Sequence, residues 1–101
     1  MKDQQPDWIG KPVIVRASGA GVHFGYVTHV DGHVVTLERS RRLWRWLAAK
    51  NGSLSAVAVH GIDTERSNIG DPITVTIFDA HEIIGVSAAA ITSIEAGKWT
   101  R

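Results

Sequence analysis

HFGYVTHVDGHVVTLE, residues 23–38, predicts two strands and the turn that joins them. In the first half, Phe24, Tyr26, Thr28 and Val30 alternate with Gly25, Val27 and His29, and this period of two is typical of a strand over 23–30. Asp31-Gly32 follows, and because both positions tolerate a positive φ the pair predicts a tight hairpin turn. HVVTLE, residues 33–38, is then the returning strand of an antiparallel hairpin.

Further strands are predicted on both sides of this hairpin. PVIVRA, residues 12–17, is rich in β-branched side chains, and SGAGV, residues 18–22, supplies the turn that follows it. ITVTIFD, residues 73–79, alternates as a strand does, and HEIIGV, residues 81–86, continues as another strand after a tight turn at Asp79-Ala80.

Two short helices are predicted from their capping residues. SLSAVAVHG, residues 53–61, begins at the N-cap Ser53 and closes at Gly61. SAAAITSIEAG, residues 87–97, is alanine-rich and also starts with a serine cap. Residues 62–72 are expected to form a polar loop.

The segment RSRRLWRWLAAKNG, residues 39–52, is ambiguous. A helix would group Leu43 with Trp46 and Leu47, whereas a strand would place Trp44 and Trp46 on one face. The strand is favoured because tryptophans two residues apart suit it better. The fold class expected for residues 1–101 is therefore a single, mainly β (α+β) domain: a small antiparallel β structure with one or two short helices.

Composition limits the classes of function. The chain is 44% hydrophobic and 21% charged, as is ordinary for a soluble globular domain of 101 residues. Its net charge of +1 gives no electrostatic argument for nucleic acid. The absence of cysteine excludes disulfides and fits a reducing, cytoplasmic setting. The stretch MKDQQPDW, residues 1–8, lacks the apolar core of a signal peptide and no run approaches about 18 apolar residues, so neither a signal peptide nor a membrane partner is expected. Self-association is plausible because so small a core stabilises little.

The glycine-rich loop raises the question of a nucleotide site. Gly19, Gly21 and Gly25 resemble the dinucleotide fingerprint G-x-G-x-x-G, but their spacing is one residue too long. A strand rather than a helix follows, so no helix dipole faces a phosphate and a Rossmann site is excluded. Two alternatives stay open: an anion-binding nest of backbone N–H groups, and a plain hairpin turn, which is favoured from the loop alone.

A basic, aromatic segment follows the hairpin. Its members are Arg39, Arg41, Arg42, Arg45, Trp44 and Trp46. Arginine binds phosphate with a planar fork and tryptophan offers a stacking surface for a purine, so the mixture suits phosphate-plus-base recognition. The alternative is a solvated arginine face with its tryptophans in the core.

Catalysis and metal binding are not predicted. The five histidines form no ligand pattern, although His29 and His33 flank the hairpin turn. No nucleophile motif and no paired carboxylates occur, so catalytic residues, a metal and a cofactor are all expected to be absent, and the protein is expected not to be an enzyme.

Three stretches carry a resemblance to a known family. VIVRASGAGVHFGYV (13–27), VVTLERSRRLWRW (34–46) and SLSAVAVHGI (53–62) resemble, in motif order, a small phage-associated domain family that includes the anti-Thoeris sponge proteins of bacteriophages. The resemblance implies a phage anti-defence protein, acting in the infected bacterial host, that sequesters cyclic ADP-ribose isomers, and in some members CBASS cyclic oligonucleotides, without cleaving them. It also implies a β-rich homo-oligomer, built from dimers into a hexamer, with ligand pockets between protomers.

The resemblance also implies the ligand-binding residues that contact phosphate. Ser18, Ala20 and Gly21 match the family's S-A-G loop and would offer backbone donors. Arg41 and Arg42 match its paired arginines and would clamp the phosphates.

The same resemblance implies four residues around the base. Trp44 or Phe24 would stack on adenine, and Arg16 and His23 would border the pocket. Two other functions stay open: a small single-stranded nucleic-acid-binding module that uses the arginine–tryptophan segment, and a phage structural protein whose tryptophans anchor an oligomer interface.

Overall fold

The computed structural model describes residues 7–50 and 52–99 and is mainly antiparallel β, as the sequence predicts. The elements, in chain order, are β1 (Pro12–Ala17), β2 (Gly21–Asp31), β3 (Val34–Arg45), α1 (Leu54–His60), β4 (Asn68–Ile69), β5 (Ile73–Ile77), β6 (Ala80–Gly85) and α2 (Ala88–Glu95).

One sheet contains all six strands. Its order is β4-β3-β2-β1-β6, and β5 pairs with the first half of β3. The central hairpin of β2 and β3 is confirmed, and it turns at Gly32 with a φ of 60°. Both helices are confirmed as well, since the hydroxyls of Ser53 and Ser87 each accept a hydrogen bond from a backbone N–H in the first helical turn, at 3.1 Å.

The sheet curls until its two edges approach each other. β5 borders β3 and β6 borders β1, so a flat sheet would hold β5 and β6 about 19 Å apart. Only Phe78 and Asp79 join them, a connection that reaches about 10 Å. The connection is held at both ends, because Ser18 N–H donates to the Asp79 carbonyl at 3.2 Å and Ala80 N–H donates to the His33 carbonyl at 3.0 Å. The strands therefore form a small, barrel-like wrap.

Two apolar clusters lie on opposite faces of this sheet. Val13 and Val15 of β1 point to the inside of the wrap, whereas Ile14 between them points to the helices. All three side chains are fully buried, so β1 is covered on both faces. The inner cluster comprises Val13, Val15, Ala17, Val27, Val35, Leu37, Ile77 and Ala80. The outer cluster comprises Ile14, Phe24, Leu43, Val57, Ala58, Ile62, Ile69 and Ile94.

A bulge divides β3 into two halves. Arg39 and Ser40 stand where β2 has only Gly25, and Arg39 takes a positive φ of 50°. Gly25 is required there, because an added Cβ would lie 2.9 Å from the Cβ of Leu37. Before the bulge β3 pairs with β5, and after it with β4.

The ambiguous segment is therefore part strand. β3 continues through Arg45, as favoured, but residues 46–50 leave regular structure apart from a bridge between Ala48 and Ile62. The predicted loop at 62–72 contains the two residues of β4. Neither described helix is long and apolar enough to cross a membrane.

Candidate ligand-binding site

The two adjacent arginines of β3 have different surroundings. The Arg41 guanidinium donates to three backbone carbonyls: Nε to Gly70 at 2.7 Å, Nη1 to Glu95 at 3.0 Å and Nη2 to Gly97 at 2.8 Å. These bonds tie β3 to the residue after β4 and to the C-terminal end of α2. Arg41 is therefore held as a structural bracket and is not placed to clamp a phosphate.

The Arg42 guanidinium makes no ion pair and no hydrogen bond with the residues that the structure describes. Its Cζ lies 4.8 Å from the centroid of the Trp44 ring, which is within cation–π distance. Its Nε is buried and has no hydrogen-bond partner in the part of the chain that the structure describes. An unpaired buried donor is costly, so a side-chain movement that brings this Nε to an acceptor on a ligand would be favoured.

Two exposed tryptophans stand beside this guanidinium. Trp44 is 59% exposed and Trp99 is 54% exposed, and their rings meet edge to face with centroids 6.3 Å apart. We call Arg42, Trp44 and Trp99 the Arg–Trp cluster. Sequence reasoning missed Trp99, because its place beside Trp44 depends on the chain returning past β4 after α2.

The glycine-rich loop already holds an anion from its own chain. The Gly19 N–H donates to the Asp79 carboxylate at 2.6 Å, and the Ser18 N–H donates to the Asp79 carbonyl at 3.2 Å. A phosphate at this position would meet the Asp79 carboxylate. Gly21 opens β2 with a φ of 88°, so the loop also needs glycine for its backbone conformation. The loop is thus a turn that needs glycine, and one of its N–H groups, that of Gly19, bonds a carboxylate of the same chain.

His23 lies between the loop and the Arg–Trp cluster. It is fully buried, its Nε2 lies 2.8 Å from the Ala20 carbonyl oxygen, and it stands opposite Arg42 in the strand register. Burial lowers the pKa of the imidazole below its ordinary value of 6.5, and Arg42 lowers this pKa further, whereas the Ala20 bond and Asp79 raise it. The neutral ring donates through Nε2 to Ala20, and its Nδ1 has no partner among the described residues.

Acid is expected to destabilise the fold through His23. The pKa of His23 lies below 6.5 in the folded chain. Just below pH 6.5 the unfolded chain therefore takes up a proton at this residue and the folded chain does not. The stabilisation is complete above pH 6.5 and is lost on acidification, by at most about 1.4 kcal/mol per pH unit. Denaturant titrations across this range measure it. His23→Gln retains a donor for Ala20 and should show a shallower acid loss; an unchanged pH profile would contradict the assignment.

The other predicted residues lie away from the Arg–Trp cluster or have no exposed surface. Phe24 is fully buried in the outer cluster and meets Tyr26 edge to face, so it offers no ring face to a ligand. Arg16 donates to Glu82 at 2.7 Å in a half-exposed ion pair. The structure therefore brings His23, Arg42 and Trp44 together and leaves Arg16, Phe24 and Arg41 in other roles. No group of three metal-ligating side chains occurs within 7–50 and 52–99.

The fold and this site together define a small antiparallel β protein with a curled sheet, in which the exposed Trp99 joins Arg42 and Trp44 of the longest strand. The chain belongs to the family of the domain of unknown function DUF6948, whose model matches residues 10–94. No curated protein and no solved structure matches the chain.

Proposed function

We propose that this protein binds a small cyclic nucleotide and holds it without cleaving it, as an anti-defence sponge in the cytoplasm of an infected bacterium. The resemblance to anti-Thoeris sponges suggests cyclic ADP-ribose isomers as ligands, with CBASS cyclic oligonucleotides as a second group. The single observation that carries the proposal is the Arg42 guanidinium over the exposed Trp44 ring, with its buried Nε lacking an acceptor.

The chemistry of the Arg–Trp cluster matches a nucleotide in two ways. An exposed indole offers a flat surface on which a purine stacks, a contact worth about 1–3 kcal/mol per base. A guanidinium binds a phosphate through a planar fork and remains charged at all relevant pH values. The proposed contacts are stacking on an indole and an ion pair with a guanidinium. Neither contact breaks a bond of the nucleotide, which supports binding without cleavage.

Self-association completes the proposal. On one protomer Trp44 and Trp99 are both more than half exposed, so a ligand there would be covered on one side only. Tight capture favours a closed, pre-ordered pocket, which a second protomer would supply. We therefore propose that the ligand is held in a homo-oligomer.

Calorimetric titration with cyclic ADP-ribose isomers and cyclic dinucleotides tests the binding site. Arg42→Ala and Trp44→Ala should each weaken binding at least about tenfold, since each removes one of the two contacts. Arg66→Ala is the matched control, because its side chain is 74% exposed and pairs only weakly with Asp63, at 4.0 Å. The ligand should be recovered intact after denaturation.

Several results would count against this function. A wild-type chain that binds none of these nucleotides, or that releases a cleaved product, would refute it. Undiminished affinity in Arg42→Ala would remove Arg42 from the site, and undiminished affinity in both variants would remove the whole cluster.

A single-stranded nucleic acid is the second candidate ligand, because two exposed tryptophans and an arginine are also a stacking platform for successive bases. Its affinity should fall steeply with salt, since each phosphate contact releases counterions. A cyclic nucleotide in a closed pocket should show a much smaller salt dependence, so titration at two ionic strengths separates the two functions.

A further inference from the structure

The outer edge of β5 has no partner in the part of the chain that the structure describes. β5 pairs with β3 along one edge, and no backbone hydrogen bond beyond that ladder involves residues 73–77. Exposed edges are usually protected by charges, bulges or a covering segment. The five residues of β5, ITVTI, contain no charge. An edge of this kind is a template for another strand.

The sequence of β5 suits one particular partner, which is a second copy of itself. ITVTI reads the same in both directions. In an antiparallel pair with a two-fold axis at Val75, each Val75 faces the other, Thr74 faces Thr76 of the second copy, and Ile73 faces Ile77. Thr–Thr and β-branched pairs are favourable cross-strand neighbours. A two-fold axis is also the commonest symmetry of soluble oligomers.

Two further features occupy matching positions on either side of this axis. Phe78 directly follows β5 and is 72% exposed, the most exposed of the large apolar side chains described. Three residues before Val75 is Pro72, which lines a shallow depression of about 340 Å³ together with Arg39, Ile73 and Thr74. The Arg39 guanidinium, which forms one wall, lies 3.7 Å over the Tyr26 ring.

The two-fold register brings these features together. Phe78 stands three residues after Val75 and Pro72 three residues before it, so each Phe78 comes opposite Pro72 of the second copy. Pro72 directly precedes β5 and Phe78 directly follows it, so the two residues lie at opposite ends of the proposed paired edge. The same register would bring Asp71 towards Asp79, but the Asp79 carboxylate is bonded to Gly19 of its own chain.

We propose that two copies of this chain associate through antiparallel pairing of their β5 edges about Val75, with each Phe78 seated in the depression of the other copy. This pairing names the contact by which the oligomer of the proposed function forms. It requires no nucleotide, so it stands if the ligand assignment fails. The pairing uses the half of β3 that contacts β5 and leaves the Arg–Trp cluster, on the other half, accessible.

A charge-exchange experiment tests the register. Thr74→Lys with Thr76→Lys places like charges opposite each other twice in each dimer, and Thr74→Glu with Thr76→Glu does the same with the opposite sign. Sedimentation velocity without nucleotide should show each double variant as a monomer and an equal mixture of the two as a dimer. Both threonines are exposed, and the one intramolecular side-chain contact that is lost is the exposed hydrogen bond between the Thr76 and Thr36 hydroxyls, at 3.0 Å, so the fold should tolerate the changes. Two variants that dimerise alone as the wild type does would overturn the proposal.

Removing the aromatic contact tests the depression. Phe78→Lys should raise the dimer dissociation constant about a hundredfold. Two Phe78 contacts are lost in each dimer, and the loss of each is expected to raise this constant about tenfold. Val59→Lys is the control: Val59 is 56% exposed on α1, away from β5. An equal effect of both changes, or none from Phe78→Lys, would overturn the role of the depression.

Cross-linking tests the position of the axis. The chain has no cysteine, so a disulfide formed by a single introduced cysteine can only link that residue to the same residue of a second copy. Val75→Cys should form a disulfide-linked dimer on mild oxidation, since directly opposite Cβ atoms in an antiparallel pair lie about 4.5–5.5 Å apart. Val59→Cys should not. A wild-type chain that stays monomeric at all concentrations, or a Val75→Cys variant that cross-links no faster than Val59→Cys, would refute the pairing.

Discussion

Arg41→Ala is expected to lower the free energy of unfolding by about 3 kcal/mol. The change deletes a charged group that donates to three backbone carbonyls, and hydrogen bonds from a charged donor are each worth more than the roughly 1 kcal/mol of neutral ones. It also leaves the carbonyls of Gly70, Glu95 and Gly97 without this partner. Because the three carbonyls lie beyond β4 and at the end of α2, the C-terminal part of the chain should loosen first.

The matched control is Arg45→Ala, four residues further along the same strand. Arg45 is exposed, so its loss should change stability by no more than about 0.5 kcal/mol. Denaturant unfolding of both variants measures the difference, and hydrogen exchange locates it. An Arg41→Ala chain that keeps wild-type stability but loses nucleotide affinity would contradict the structural role and return Arg41 to the ligand site.

Gly61→Ala is expected to cost about 4 kcal/mol. Gly61 ends α1 with a φ of 88° and a ψ of −167°, a conformation that is essentially restricted to glycine. An added Cβ would also collide with the Ser93 side chain of α2, whose hydroxyl accepts the Ile62 N–H at 3.0 Å. Backbone strain and steric conflict therefore add at the point where the two helices meet.

Thermal and denaturant unfolding check this change against two further variants. Gly52→Ala is the control, because nothing lies near its Cβ position and its φ is not positive, so its effect should stay within about 0.5 kcal/mol. In a Ser93→Ala background, Gly61→Ala should cost less, since part of the collision is gone. Equal costs in both backgrounds would assign the whole effect to the backbone, and a cost near zero would contradict the geometry at Gly61.

Local patterns predicted most of the secondary structure. Alternation in residues 23–38, the Asp31-Gly32 turn and the serine caps at Ser53 and Ser87 each involve neighbours within a few residues, so the sequence contains all the information needed. The two residues of β4 escaped prediction because Asn68 and Ile69 form a strand only by pairing with β3. The bulge escaped it as well, since it depends on Gly25 of the neighbouring strand, which lets Leu37 and Ser40 approach on either side of Arg39.

In the candidate site, too, the sequence shows which residue types are present but not what surrounds each arginine and aromatic side chain. The sequence marks the segment 39–46 as rich in both, but it does not distinguish one guanidinium from the next. Arg41 meets the carbonyls at the end of α2 and Arg42 does not, because adjacent residues of a strand point to opposite faces. Phe24 and Trp44 differ similarly: one is covered by the helices and the other is exposed.

The amino-acid sequence by itself determined that this protein is a small antiparallel β structure with two capped helices, because strand alternation, turns and caps depend on nearby residues. Only the tertiary structure decided which arginine is free, that Trp99 joins Trp44, that Asp79 fills the glycine-rich loop, and that β5 has an open edge. Each of these depends on residues distant in the chain: Asp79 reaches the loop through the connection between β5 and β6, and Trp99 reaches Trp44 because the chain returns past β4 after α2.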